Sequence, residues 1–232
     1  MFIFFSFKAP KPENIIADVV VLVDSSDSVT SLDFQLEKRF VKAIARSLNV
    51  GPDRSRGSVI FYGSKYNIVL SLDEATDLDG LKRAVDSASY VDGPRRMDLA
   101  LEAAAAVMNQ ATRDVSKIVI LLTAGKQTST NIPFPFRNAV KALTDLGAQT
   151  YVVAISSKPD KQELVTLVDD RDDIFEVPRF EVLLPQAMQI SKSIAVKSGK
   201  VLKFPNCVVF RDIPLTAVAP NNEGFIRVYL HK

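Results

Sequence analysis

The residues best suited to chemistry in this sequence are Asp24, Ser26 and Ser28, at alternate positions of the run DSSDS. They directly follow the apolar run VVVLV (19–23), which predicts a strand buried on both faces. Because open α/β sheets bind ligands beyond the carboxyl ends of their strands, the three side chains are predicted to converge there. One carboxylate and two hydroxyls are hard oxygen ligands of the kind that Mg²⁺ prefers. The spacing therefore predicts a candidate cation site.

The composition excludes several other kinds of chemistry. The net charge of +2 gives no electrostatic footprint for nucleic acid, and no apolar run approaches the roughly 20 residues of a membrane span. The only cysteine and the only histidine are Cys207 and His231, both near the end of the chain. Thiol or Ser–His–Asp catalysis and zinc sites with N/S ligands are therefore not expected.

The order of the predicted elements indicates the fold class. Apolar runs typical of strands alternate with helical patterns over residues 17–195, which predicts a mostly parallel sheet covered by helices on both faces. Only three residues separate the runs SVIFY (58–62) and YNIVLSL (66–72). Three residues are too few for a crossover helix, so the second run is predicted to be an antiparallel edge strand.

Local signals predict where two helices begin and end. Thr30 followed by Asp33 predicts a capping box at the start of the first helix, and Gly147 predicts the end of a later one. In the first helix, an apolar repeat of about four residues predicts the buried face. Its members are Leu32, Leu36, Phe40, Ile44 and Leu48.

Three segments are predicted along the chain. Residues 1–15 form a lead-in stiffened by Pro10 and Pro12, residues 16–196 form one domain, and residues 197–232 form an extension. Within the extension, residues 201–210 and 224–230 are predicted to be β segments. They belong either to an appended hairpin or to the beginning of another domain.

Five motifs in this order resemble the von Willebrand factor type A domain, especially that of collagen VI-like chains and matrilins: ADVVVLVDSSDSV, SVIFYG, ALEAAAAVM, KIVILLTAGK and TYVVAI. The resemblance covers about residues 17–195. It implies a doubly wound, six-stranded sheet of order 3-2-1-4-5-6 with one antiparallel edge strand. In this order the first and fourth strands flank the switch point, so Asp24 and Ala124 face one crevice.

The resemblance also implies a metal-ion-dependent adhesion site (MIDAS) in that crevice. In the family, the D-x-S-x-S residues, a Thr before the Ala-rich helix and an Asp after the fourth strand surround Mg²⁺, and a ligand carboxylate completes the shell. Asp24, Ser26 and Ser28 match this pattern, but the Thr position falls at about Arg95 and the Asp position at Ala124. With these two groups replaced, the site is predicted to be degenerate. No cofactor is expected, and weak Mg²⁺ binding by the remnant is the alternative.

Two interpretations of Arg95 remain open. Its guanidinium could replace the ion, either by pairing with Asp24 or by receiving a partner's carboxylate bidentately. Alternatively, Arg95 and Arg96 form a solvated pair in their loop, while the Ser and Asp side chains only satisfy backbone amides of the turn.

The predicted function is that of a non-catalytic, secreted protein-interaction module of the extracellular matrix or of an adhesion protein. The expected partners are collagens, other matrix proteins or copies of the same domain, and not nucleic acid. An intracellular type A scaffold in a larger complex and a Mg²⁺-dependent enzyme centred on Asp24 are the alternatives. The residues predicted to contact a partner lie at the carboxyl edge of the sheet: Asp24, Ser25, Asp27, Arg95, Arg96 and Lys126.

Overall fold

The computed structural model describes residues 16–51, 53–74, 77–128 and 136–198, together with the backbone of 216–217 and 228–229. The predicted lead-in, the segment 201–210, Cys207 and His231 lie outside the described residues. Two short segments of the predicted extension, Thr216–Ala217 and Val228–Tyr229, pair in antiparallel fashion. The division into lead-in, domain and extension stays a prediction.

Six strands form one sheet: β1 (Ala17–Asp24), β2 (Arg56–Tyr62), β3 (Tyr66–Leu70), β4 (Ser116–Thr123), β5 (Ala148–Ile155) and β6 (Ile174–Val177). Their order is β3-β2-β1-β4-β5-β6. The β2–β3 pair is antiparallel and the other pairs are parallel. The predicted fold class, including the antiparallel edge strand, is confirmed.

Helices cover both faces of this sheet. Within the described residues they are α1 (Ser31–Ser47), α2 (Leu78–Ser87), α3 (Met97–Asn109), α4 (Arg137–Asp145), α5 (Lys161–Leu164) and α6 (Leu183–Ser198). The last of them ends two residues beyond the predicted domain boundary at 196. None of the described helices has the length and apolar composition needed to cross a membrane.

Strand β1 is the centre of the core, since every one of its residues is buried. Side chains alternate between the two faces of a strand, so Val19, Val21 and Val23 pack with α1 and α6, whereas Val20 and Leu22 pack with α3 and α4. Burial of each such side chain contributes about 1.5–3 kcal/mol. The carboxyl end of β1, where Asp24 lies, is therefore firmly positioned.

Helix α1 begins as predicted, and three members of the predicted apolar repeat are buried: Phe40, Ile44 and Leu48. Thr30 Oγ1 accepts a hydrogen bond from the Asp33 amide at 3.2 Å, and the Asp33 carboxylate accepts one from the Thr30 amide at 3.4 Å, which completes the capping box. Leu32, however, is 70% exposed, so its predicted place on the buried face was wrong. The buried face also includes Phe34 and Glu37, which the predicted repeat did not contain.

Alanines on α3 bring that helix close to the sheet. Ala100, Ala103 and Ala104 are at most 3% exposed and pack in the cluster that contains Val20 and Leu22 of β1. Because alanine has a small side chain, the helix backbone can approach the strands closely. The loop that leads into α3, residues 90–96, is thereby held next to the carboxyl end of β1.

The fully buried Asp18 lies near the amino end of β1, opposite the end that carries Asp24, and binds two arginines. Its carboxylate accepts hydrogen bonds from Arg56 Nε at 2.9 Å and Nη2 at 2.7 Å, and from Arg113 Nε at 3.1 Å. Burial alone raises the pKa of Asp18, but the hydrogen bonds and charges of Arg56 and Arg113 outweigh it and place the pKa below its usual value.

We expect Asp18→Asn to lower the free energy of unfolding by about 3 kcal/mol at neutral pH, because a neutral amide leaves two guanidinium groups without a countercharge. A depressed folded-state pKa stabilises the fold above the unfolded-state value of about 3.9, and this stability is lost as the pH falls through the folded-state pKa. Chemical denaturation at a series of pH values measures this. The difference in the free energy of unfolding between the unaltered chain and Asp18→Asn should become smaller as the pH falls from neutral to acidic. A difference independent of pH would contradict this account. The exposed neighbour Asp114, changed to Asn, is the control.

Candidate functional site

The crevice beyond β1 and β4 is centred on the carboxylate of Asp24, which is fully buried. Asp24 Oδ1 accepts hydrogen bonds from the Ser26 amide at 3.1 Å and the Ser26 hydroxyl at 2.7 Å. Asp24 Oδ2 accepts from the Ala124 amide at 3.0 Å and from Arg95 Nε at 2.5 Å. A carboxylate has about four lone-pair positions, so these four bonds use its accepting capacity.

The guanidinium of Arg95 lies against two of the three predicted cation ligands. Besides its ion pair with Asp24, it donates from Nη2 to Ser28 Oγ and from Nη1 to the Lys126 carbonyl at 3.3 Å. The third predicted ligand, Ser26, lies 3.4 Å from Ser28, hydroxyl to hydroxyl. Arg95 is only 8% exposed, so the interpretation of Arg95 as part of a solvated pair was wrong.

The turn after β4 leaves room for this guanidinium. Ala124 presents its amide to Asp24 and has no side-chain oxygen. A Cβ at Gly125 would lie 2.3 Å from Arg95 Nη1, so only a residue without a side chain fits there while Arg95 keeps this position. The Thr123 hydroxyl donates to the Gly125 carbonyl at 2.7 Å, which fixes the turn.

The loop that carries Arg95 is tied to the D-x-S-x-S segment. Asp92 and Gly93 have positive φ angles of 67° and 81°. The Asp27 carboxylate accepts from the Gly93 amide at 2.6 Å, and the Ser25 hydroxyl accepts from the Val91 amide at 2.7 Å. A hydrogen bond between the side chains of Asp27 and Asp92 raises the pKa of Asp27 and lowers that of Asp92.

A second arginine, Arg96, is held by Asp98 at the start of α3. Arg96 donates to Asp98 through Nε at 2.8 Å and Nη2 at 2.7 Å. Burial raises the pKa of Asp98, but the hydrogen bonds from Arg96 and Gln127 place it below its usual value. Gln127 also accepts from the Met97 amide at 2.7 Å, so it links the β4 loop to α3. The sequence reasoning missed Gln127, whose only signal was an amide that can both donate and accept near the switch point.

The residues predicted to contact a partner divide into two groups. Asp24 and Ser25 are fully buried, and they position the crevice rather than reach its surface. Arg95 is buried as well, whereas Asp27, Arg96 and Lys126 have side chains that are at least partly accessible at the carboxyl edge of the sheet. The accessible surface therefore combines one carboxylate with two basic groups, and the guanidinium of Arg95 lies beneath it.

A family model for the von Willebrand factor type A domain matches residues 18–189. The chain belongs to this family. This type A domain is 30% identical over 140 residues to the mouse collagen alpha-4(VI) chain, a match that covers 60% of this chain and 6% of the collagen. It is 31% identical over 200 residues to human matrilin-3, covering 82% of this chain and 40% of the matrilin. The domain is thus homologous to extracellular matrix proteins and spans less than half the length of either relative.

A solved structure shares the fold. Proximal thread matrix protein 1 from the mussel byssus, in a form with a zinc-occupied MIDAS motif, superposes with a TM-score of 0.69 at 20% identity. The match covers 77% of this chain and 48% of that one.

In this type A domain the groups that a divalent cation would need in the crevice have other partners or are missing. The acceptor positions of Asp24 are filled, Ala124 supplies no carboxylate, and the guanidinium of Arg95 lies against both Asp24 and Ser28. Two unit positive charges 4 Å apart repel by about 4 kcal/mol at an effective dielectric constant of about 20. Among the described residues, no three acidic, His or Cys side chains are placed to hold a metal ion.

Proposed function

We propose that this type A domain is a non-catalytic, secreted interaction module of the extracellular matrix whose crevice works without a divalent cation. The observation that carries the proposal is the buried guanidinium of Arg95, which donates to Asp24 and Ser28. Homology to collagen VI and matrilin-3 supports a role in the matrix. On this proposal, the MIDAS that the sequence predicts to be degenerate contains a positive charge of the chain itself, the guanidinium of Arg95.

A partner's acidic side chain is the chemistry that this crevice suits. The guanidinium has five N–H donors, and three of them are used by Asp24, Ser28 and the Lys126 carbonyl. One donor on each Nη atom has no partner among the described residues and can donate to a carboxylate. The exposed ammonium group of Lys126 adds a second positive charge nearby.

The contacts of the crevice support a binding role rather than catalysis. A general base must accept a proton, yet Asp24 is ion-paired and fully hydrogen-bonded. The Ser26 hydroxyl donates to this same carboxylate, so Ser26 has no free base beside it. A Mg²⁺-dependent enzyme centred on Asp24 would need acceptor positions that Arg95, Ser26 and Ala124 already fill.

The proposal predicts that binding to purified, immobilised collagen VI or fibrillar collagen is the same in Mg²⁺ and in excess chelator. Surface plasmon resonance measures this directly. Loss of a charge-assisted hydrogen bond to a partner costs about 1.5–3 kcal/mol, so Arg95→Ala should weaken binding by about tenfold or more. Lys192→Ala, an exposed change on α6, is the matched control. Binding that disappears with chelator, or that survives Arg95→Ala unchanged, would overturn the proposal.

A further inference from the structure

A groove of about 700 Å³ lies beside strand β6, at the edge of the sheet opposite to β3. Side chains of β5, α5 and β6 give it an apolar floor, and they include Ala154, Leu164 and Ile174. Its volume falls within the range of about 300–1,000 Å³ that is usual for binding pockets. The groove is therefore large enough to receive side chains of a partner.

The groove exists because α5 is too short to cover β6. The four residues of α5 span about 6 Å, whereas the four residues of β6 span about 13 Å. The side chains of Ile174 and Phe175 consequently stay partly exposed.

The backbone of β6 has an open edge on the side away from β5. The Val177 carbonyl accepts a hydrogen bond from the Ser156 amide at 2.7 Å, so Val177 faces β5. Backbone groups alternate in direction along a strand, and the N–H and C=O of Glu176 therefore point away from β5. Among the described residues, no segment pairs with β6 on that side. An edge of this kind can accept an added strand.

The charged side chains that line the groove leave one cation without a partner. Lys161 forms an ion pair with Glu176 at 2.6 Å. Arg171 also lines the groove, but its guanidinium forms no ion pair or hydrogen bond with any described residue. Its sequence neighbours Asp170 and Asp172 do not line the groove. An unpaired guanidinium beside an apolar floor suits an apolar segment that also carries a carboxylate.

Ser156, at the rim of the groove, has an uncommon backbone conformation. Its φ angle is 71°, and the other described non-glycine residues with positive φ are Asn49, Asp53 and Asp92. Asn and Asp adopt this region several times more often than other residues do, so Ser156 is the exception. Such strain is typical of sites that bind a ligand or a partner.

We propose that the groove and the open edge of β6 bind an extended segment of a partner protein, which adds a strand to the sheet and pairs an acidic side chain with Arg171. The backbone of Glu176 holds the segment by hydrogen bonds, and the groove receives the apolar side chains on one face of the added strand. Strand β6 lies three strands, about 14 Å, from β1, so this surface is separate from the crevice of Arg95. The inference does not depend on the proposed function.

The probe is a blocked synthetic heptapeptide, Thr-Asp-Thr-Val-Thr-Leu-Thr, which places its carboxylate and its apolar side chains on one face of a strand. The peptide of reversed sequence samples the other strand direction. Titrated into the full chain at up to about 5 mM, one of the two should shift the amide NMR signals of Ile174–Val177 in a saturable manner. Arg171→Ala, or Asn for Asp in the peptide, should weaken binding about threefold or more. Arg83→Ala, an exposed change on α2, is the matched control.

Two further peptides carry N-methyl groups on alternate amides, one set for each edge of the added strand. Only the set that faces β6 should abolish binding, because N-methylation removes the donors of that edge alone. Three results would overturn the inference: β6 signals that both peptides leave unchanged, binding that survives Arg171→Ala undiminished, or equal effects of the two N-methyl sets. β6 signals that shift with the concentration of the chain alone would also overturn it, since the occupant would then be a second copy.

Discussion

Replacing Arg95 with methionine is expected to lower the free energy of unfolding by about 3–5 kcal/mol, because it leaves the buried carboxylate of Asp24 without a cation. Methionine keeps an unbranched stem of similar shape, so the change removes mainly the charge and its hydrogen bonds. Chemical denaturation at neutral pH measures the effect, provided that the slope of the free energy of unfolding against denaturant concentration is the same in both proteins.

Lys126→Met is the control for this change. Its side chain is exposed and forms no ion pair among the described residues, so the effect should stay within about 0.5 kcal/mol. Adding Asp24→Asn to Arg95→Met should restore part of the lost stability, since it removes the charge that had no partner. A loss below about 1 kcal/mol for Arg95→Met would mean that the pair contributes no more than an exposed one.

The double variant Arg95→Thr, Ala124→Asp is expected to bind Mg²⁺. It replaces the guanidinium by a hydroxyl and adds a carboxylate, so that five oxygen-bearing groups surround the crevice together with Asp24, Ser26 and Ser28. A cation that binds only the folded state stabilises it by about 2.7 kcal/mol at a concentration of about 100 times its Kd. Thermal unfolding with and without Mg²⁺ measures this.

The single variant Ala124→Asp tests whether Mg²⁺ binding requires the removal of Arg95 as well as the added carboxylate. With Arg95 still present, the new carboxylate should pair with the guanidinium and leave no position for a cation. The single variant should therefore show no stabilisation by Mg²⁺. If the double variant also fails to respond, residues other than Arg95 and Ala124 prevent cation binding.

The fold could be predicted from the sequence because its strongest signals are local. The apolar run of β1 has no polar residue between Val19 and Val23, and the three-residue connection from β2 to β3 permits only an antiparallel pair. The strand order implied by the family resemblance then places Asp24 at the switch point, where it lies within hydrogen-bonding distance of the Ala124 amide.

The partner of Arg95 could not be predicted in the same way. Whether its side chain points to solvent or to Asp24 depends on contacts between segments far apart in the chain. The missing Cβ of Gly125 leaves space for the guanidinium. The hydrogen bond from the Gly93 amide to the Asp27 carboxylate, and that from the Asp27 amide to the Gly93 carbonyl, hold the loop against the end of β1. No spacing within one segment contains that information.

Glu37 shows a related limit. An apolar repeat that began at Leu32 predicted a face on which Glu37 had no place, yet Leu32 is 70% exposed and Phe34 is buried. A helical pattern that began at Phe34 would have placed Glu37 between Phe34 and Val41 on the buried side.

On the proposed function, a guanidinium of the chain itself occupies the place of the cation. Calorimetric titration of Mg²⁺ into the unaltered chain, with the Arg95→Thr, Ala124→Asp variant as positive control, tests it most directly. The account predicts no saturable heat for the unaltered chain at concentrations up to about 10 mM, and saturable binding by the variant. Saturable binding of Mg²⁺ to the unaltered chain at concentrations below about 1 mM, together with a shift of the Arg95 Nε–H NMR signal, would contradict it.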